Sequence, residues 1–481
     1  MQTAALTPPR DDAPSDALPS GGAPVAAPRA ANAERAPRLP AWPIVGHIPD
    51  AQRDLLGLLM RARATCGDVV AFDFGPLKGH LLAHPQHIRH VLQDNHRNYT
   101  KKTRGYEKMS ALLGAGLLTS EGEFWRQQRR LIQPPFHRQH LAGFADMMAQ
   151  ETQRQGELWD LAATSGETVD LAADMMRLTL RIVGRTLLSS DVSDDSTAVG
   201  AAMDVVLHEL NRRIHSPWGF LEWLPLARNR RYDEAIATLD AVVQRVIVER
   251  RALKGDPPAD LLTLLLGTRD ADTGEGMSDR QLRDEVLTLF LAGHETTANA
   301  LAWSFLLLAR HPEAAARLRA EADAVYGARP PGFADVPRLT YTRQVVQESL
   351  RLYPPAWLLA RTPLTDDHVG GYRLPAGSLV MMSPYVTHRH PELWPEPDRF
   401  DPERFAAGRA PEAKDFSYFP FGGGPRICIG QQFALTEAML GLSMLVQRFD
   451  VSLLSPTREV GLDPLVTLRP KGGLPVKISR R

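Results

Sequence analysis

The chain has 481 residues, 43% of them hydrophobic, and its 56 basic side chains are matched by 56 acidic ones. That neutral balance gives no support to nucleic-acid binding, which needs a basic excess or stripe. Only two cysteines are present, Cys66 and Cys428. They exclude a disulfide scaffold and any four-cysteine zinc or iron–sulfur site, and leave open a single thiolate with a chemical task.

Residues 1–38 are rich in Ala and Pro and lack an apolar core of signal-peptide length. Prolines at 8, 9, 14, 19, 24, 28 and 37 forbid a continuous helix, and Asp11, Asp12 and Asp16 argue against a transit peptide. The stretch is expected to be a disordered tail, followed by one domain over 39–481. Short β-like runs predict strands at Val69–Phe74, His80–Ala83, Tyr372–Leu374, Leu379–Met382 and Pro475–Ile478. Most of 138–326 reads as amphipathic helix, so the chain is mainly α with a minor β-sheet region.

Ser278 and Gln281 have capping-box spacing, and Arg310-His311-Pro312 supplies a stop. Between them lies a helix of roughly 30 residues, about 45 Å long. It contains the most membrane-like run, Val286 to Ala309, but His294, Glu295, Thr296, Thr297 and Asn299 sit at its centre. A charge at mid-bilayer costs about 2.5–3.5 kcal/mol even on a lenient scale, so a helix buried in a cytoplasmic protein without a transmembrane segment is expected. The irregular stretch 384–425 is too long to be idle inside a compact domain.

The sharpest chemical signal follows it: Phe421-Gly422-Gly423-Gly424-Pro425-Arg426-Ile427-Cys428-Ile429-Gly430. Glycines let the backbone approach a flat ligand. Cys428 just precedes a predicted helix, whose free amides and dipole stabilise a thiolate. A buried, inert cysteine is the alternative, and it suits Cys66. Glu295-Thr296 is the second signal, because an acid–alcohol pair in an apolar helix is costly unless used.

The cysteine phrase resembles the haem-binding loop of the cytochrome P450 family, with Phe421, Gly424, Arg426, Cys428 and Gly430 in place. Three more phrases match: Trp125-Arg126-Gln127-Gln128-Arg129; Ala292-Gly293-His294-Glu295-Thr296-Thr297; and Glu348-Ser349-Leu350-Arg351 with Pro402-Glu403-Arg404-Phe405. The resemblance covers about 39–481. It implies the cytochrome P450 fold, with haem b (iron protoporphyrin IX) between the long oxygen-binding helix and the helix following the Cys loop. It makes Cys428 the iron ligand and Phe421 part of the haem-binding loop. Trp125, Arg129, Arg361 and Arg426 would bind the haem propionates; Arg361 is placed by its position after Pro354-Pro355. Thr296 would relay protons and Glu295 would link it to solvent. Glu348, Arg351 and Arg404 would lock the region behind the haem. His294, His388 and His390 read as packing or loop residues rather than metal ligands.

The activity so implied is a monooxygenase that inserts one oxygen atom from O₂ into a lipophilic small molecule, by hydroxylation or epoxidation. Alternatives are a peroxide-driven peroxygenase, a haem-thiolate isomerase and a non-catalytic haem-binding protein; the acid–alcohol pair counts against the first two. Only 53 residues follow Cys428, so electrons from NAD(P)H are expected through a separate ferredoxin or flavodoxin and its reductase. Arg126, Arg130 and Arg138 suggest a basic docking patch for it. Substrate walls are expected from Tyr106, Met109, Leu112, Leu113, Leu117 and Leu118, from Trp218, Phe220, Trp223 and Leu224, from Phe290 and Ala292, and from Ala356 to Leu359. A membrane-touching entrance is the other reading of Trp218–Trp223. Arg426, where many soluble bacterial members have His, points to a soluble bacterial member resembling the eukaryotic-like subgroup. It is expected to be a monomer.

Overall fold

The computed structural model describes residues 35–189, 196–215, 222–270, 272–455 and 459–481. The proposed tail therefore lies almost wholly outside the described residues. Its last residues already touch the fold: Ala36 is buried, and the Pro37 carbonyl accepts the Ala71 amide at 2.8 Å.

The long helix spans Asp279–Arg310, 32 residues. Its start is the expected capping box: the Gln281 amide donates to Ser278 Oγ at 3.3 Å and the Ser278 amide to Gln281 Oε1 at 2.8 Å. It ends at His311, whose φ of −128° precedes Pro312. Helices Leu171–Leu188, Thr340–Leu352 and Gln431–Arg448 pack against it, so it is apolar nearly all round rather than along one stripe. It forms the axis of the helical part, and the largest hydrophobic core surrounds it.

A five-stranded sheet lies to one side, in the order Val69–Phe74, Leu77–Leu82, Leu379–Met382, Leu359–Pro363, Tyr99–Thr100. Leu77–Leu82 runs parallel to Leu379–Met382, and the other pairs are antiparallel. The register places Arg361 opposite Val380. Strands at Tyr372–Leu374 and Pro475–Arg480 also appear where the sequence places them. Leu359–Pro363 was not expected: five residues ending in proline carry little alternation, and pairing with Leu379–Met382 makes them a strand.

The irregular stretch is held by a buried ion pair. Arg351 and Glu348 are both fully buried, joined at 2.6 and 2.9 Å. Arg351 also donates to the carbonyls of His388, Pro397 and Arg399 at 2.8, 2.6 and 3.1 Å. Glu348 accepts the Asp401 amide at 2.8 Å, with Arg404 Nε 3.6 Å away. One i, i+3 pair on a helix thus organises backbone from four points of the loop, close to the arrangement the motif implies.

Candidate active site

Cys428 lies three residues before the helix Gln431–Arg448, and its amide donates to the Phe421 carbonyl at 3.0 Å. Gly424 has a φ of +63°, and a Cβ there would fall 1.9 Å from the Leu92 carbonyl oxygen, so only glycine fits. Upstream, the Phe419 amide donates to His388 Nε2 at 3.0 Å. Burial holds His388 well below the usual imidazole range, which keeps that nitrogen an acceptor. Burial pushes the Cys428 thiol up, while the Gly430 amide and Arg129 pull the other way. The cysteine is enclosed by protein yet open to an internal cavity.

That cavity, about 400 Å³, separates the Cys428 loop from the central helix. The residues expected to ligate the iron, hold the haem or relay protons all line it: Cys428, Phe421, Trp125, Arg129, Arg361, Arg426, Glu295 and Thr296. One edge is strongly cationic. Arg129 donates to the Ile427 carbonyl at 2.9 Å. Arg426 lies 3.9 Å above the Trp125 ring, donates to the Ser120 carbonyl at 2.8 Å and sits 3.2 Å from Glu121. Burial lowers Arg426 to about 10.

Lys101, absent from the sequence-based set, completes this edge. It is 7% exposed, against an exposed Lys102, and its Nζ donates to the Leu118 carbonyl at 3.0 Å. Burial drives it well below the ordinary lysine range, and Arg361 and Arg426 add to the push. Four cations therefore converge with one carboxylate, Glu121, among them. Buried like charges are costly unless an anion joins them. The edge suits a flat ligand bearing two carboxylates, and the thiol below suits its metal; these residues fit haem.

On the opposite wall, Thr296 Oγ1 donates to the Ala292 carbonyl at 2.6 Å. This i−4 bond leaves the hydroxyl oxygen an acceptor toward the cavity. Glu295 is 2% exposed, and its Oε1 accepts from the Thr467 hydroxyl and from Arg469 Nε at 2.6 Å. A direct link from Glu295 to solvent is not what the geometry shows: Arg469 stands between. Neither Thr467 nor Arg469 has a signal in its local sequence, because a hairpin 172 residues on brings them in.

The expected substrate walls divide. Tyr106, Met109, Leu117, Leu118, Ala292, Ala356, Leu358 and Leu359 do line the cavity. Leu112, Leu113 and Phe290 face the helical core instead, and Trp357 turns away to donate to the Leu465 carbonyl at 2.9 Å. Trp223 and Leu224 are on the surface, and Trp218 and Phe220 lie outside the described residues. Arg126 and Arg130 are not bare cations either. Arg126 pairs with Glu123 at 2.7 Å, and Arg130 with Asp270 and Asp272 at 3.1 and 3.0 Å. Arg138 lies over the Phe333 ring. Their neighbours largely cancel the expected basic patch. His294 reaches the Met176 carbonyl and His390 binds Arg63 and Asp68. Among the described residues no three His, Cys, Asp or Glu side chains gather as for a metal.

A cysteine opening onto a cation-edged internal cavity, with an acid–alcohol pair lining the same cavity, defines a haem-thiolate oxygenase. Residues 37–475 match the family model described as Cytochrome P450, and the chain belongs to that family. It is a cytochrome P450 monooxygenase, and haem is its cofactor. It is 42% identical to cyclooctatin synthase of Streptomyces melanosporofaciens, over 85% of this chain and 88% of that protein. It is 39% identical to cyclooctat-9-en-7-ol 5-monooxygenase of the same organism, over 85% and 87%. With pentalenene oxygenase of Streptomyces avermitilis the identity is 35%, over 92% of this chain and 96% of that one. No helix among the described residues is long and apolar enough to cross a membrane.

Proposed function

We propose that the enzyme inserts one oxygen atom of O₂ into a carbon of a compact, mostly hydrocarbon terpenoid. The observation that carries this is the lining of the cavity. Leu117, Val183, Leu187, Leu289, Leu358 and Val466 line it, and Glu295, the only acid among the described residues lining it, is committed to Thr467 and Arg469. A chamber of this kind favours apolar bulk over a charged head group. The substrates named for two of the relatives, pentalenene and an unsaturated alcohol, have the same character.

Bound haem would supply the dioxygen-activating iron, and Cys428 would give that iron an electron-rich thiolate ligand. Lys101, Arg129, Arg361 and Arg426 would hold the propionates, and the Trp125 ring lies against Arg426. Phe421 and the glycines shape the Cys428 loop. Thr296 accepts and passes a proton at Oγ1, and Glu295 handles the next one at its carboxylate. The apolar wall keeps water out and positions the substrate carbon. Electrons come from NAD(P)H through a separate ferredoxin or flavodoxin and its reductase. The protein acts as a cytoplasmic monomer, with 39–481 as its haem domain.

The deciding experiment compares turnover of a terpenoid hydrocarbon with reductase, NAD(P)H and O₂ against turnover with peroxide alone. Hydroxylated or epoxidised product in the first arm is expected. Product with peroxide only would instead establish a peroxygenase. The spin-state shift of the haem band should report binding of the terpenoid and little response to a fatty acid of similar size; the opposite order would overturn the substrate class.

Two substitutions test the residue roles. Thr296→Ala should keep haem and substrate binding but divert electrons to peroxide, lowering product per NAD(P)H by about 10²-fold, the low end of general-acid effects, since water can take the vacated place. Unchanged coupling would remove Thr296 from the relay. Lys101→Met should speed haem transfer to apomyoglobin by roughly tenfold or more, as charged hydrogen bonds contribute about 1.5–3 kcal/mol. Lys102→Met is the control and should leave the rate alone.

A further inference from the structure

A carboxylate inside an apolar helix needs partners, and where they come from decides what else controls it. Glu295 finds its partners outside its own helix. Both lie on the hairpin formed by Leu462–Pro464 and Leu468–Pro470. Thr467, in the turn, and Arg469, in the second strand, both donate to Oε1; Oε2 takes neither contact. Thr467 Oγ1 in turn accepts from Asn299 Nδ2 at 2.9 Å, one helical turn beyond Glu295. His294 is turned to the Met176 carbonyl, so it does not share the acid.

The hairpin is fastened on both flanks. Trp303 Nε1 donates to the Leu468 carbonyl at 3.0 Å, the Leu468 amide donates to the Pro355 carbonyl at 3.0 Å, and Trp357 Nε1 holds the Leu465 carbonyl at 2.9 Å. Its turn is also a wall of the substrate chamber, since Val466 and Thr467 line the cavity. The side chain of Arg469 is 14% exposed, reaching from the buried acid toward the surface.

We propose that Arg469 is a positioning residue: with Thr467 it anchors one oxygen of Glu295 and leaves the other to carry protons at the cavity. The wall that feels the substrate is then also the mount of the acid. A substrate that seats well against Val466 and Thr467 keeps the carboxylate in place, and one that pushes the turn aside misdirects it. Fit in this enzyme thus governs coupling as well as affinity. The inference rests on the monooxygenase reading and on the proton role of Glu295 given above.

Arg469→Met, Arg469→Lys and Thr467→Val test it in the haem-loaded enzyme with reductase and NAD(P)H. Product and peroxide formed per NAD(P)H are measured beside the substrate Kd from the spin-state shift and the melting temperature. Arg469→Met should lower coupling about tenfold, the scale seen when a partner that orients an active-site ligand is lost, with Kd within about twofold of wild type. Arg469→Lys should recover most of it, and Thr467→Val should fall between. Peroxide-driven turnover, in which the oxidant arrives already protonated, should change far less. Equal coupling in Arg469→Met and wild type overturns the proposal. So does a parallel loss of coupling, substrate binding and melting temperature that lysine does not restore, because that marks a residue which only holds the hairpin. If the wild-type enzyme gives product with peroxide but none with reductase, NAD(P)H and O₂, the monooxygenase reading has failed and the inference falls with it.

Discussion

Replacing Cys428 with serine or histidine is expected to abolish the red-shifted Soret band that thiolate ligation gives the reduced, CO-bound protein, and to abolish turnover. The loop is built to present one sulfur. Its amide is tied to the Phe421 carbonyl, Gly424 allows contact with the Leu92 backbone, and the Gly430 amide and the Arg129 charge both favour the anionic form. Burial opposes that form, so the anion would need the compensating charge of a bound metal. Serine is a far weaker donor than thiolate, and histidine gives a neutral ligand without the electron push that favours O–O cleavage. Haem should still bind in both variants, because the cation edge of Lys101, Arg129, Arg361 and Arg426 is untouched. Cys66→Ser should leave the spectrum unchanged. A normal thiolate spectrum from Cys428→His would sink the assignment.

The residues of the two motifs that meet at the cavity were legible in the sequence because their local chemistry is unusual. Glycines around a lone cysteine, and an acid–alcohol pair in an apolar helix, have no ordinary packing explanation. The central helix was legible for the same reason at both ends, where the capping box and His311-Pro312 leave little freedom. Lys101 was not. It differs from Lys102 only in which way the chain turns after Tyr99–Thr100, and a sequence cannot show that one lysine is buried and its neighbour exposed. Arg469 was hidden by distance along the chain. Arg126 and Arg130 misled because charge was counted without the carboxylates that folding brings beside them: Glu123, Asp270 and Asp272. Trp357 was assigned to the chamber from its neighbours, yet its indole N–H needs an acceptor when buried and finds it at Leu465, facing away.

Breaking the pair of Glu348 and Arg351 should cost the fold more than any single change in the chamber. Arg351→Leu removes the cation from a fully buried carboxylate and leaves three carbonyls, of His388, Pro397 and Arg399, without their donor. Arg404 cannot replace it, since its Nε is 3.6 Å from Glu348 and another of its nitrogens is committed to the Glu396 carbonyl. Losing one partner of a buried pair costs about 3–5 kcal/mol. Glu348→Leu should cost a similar amount, leaving the Arg351 charge uncompensated and the Asp401 amide unbonded. The double variant, Glu348→Leu with Arg351→Leu, should lose less than the sum, because neither charge is then stranded. It should still fall short of wild type, as the three carbonyls remain orphaned. Urea unfolding of the haem-loaded proteins gives the cycle. Loss of haem should run ahead of unfolding, since these carbonyls belong to the stretch that carries His388 and leads into the Cys428 loop. Single variants that lose less than about 1 kcal/mol, the scale of an exposed pair, would show that the pair does not hold this region together.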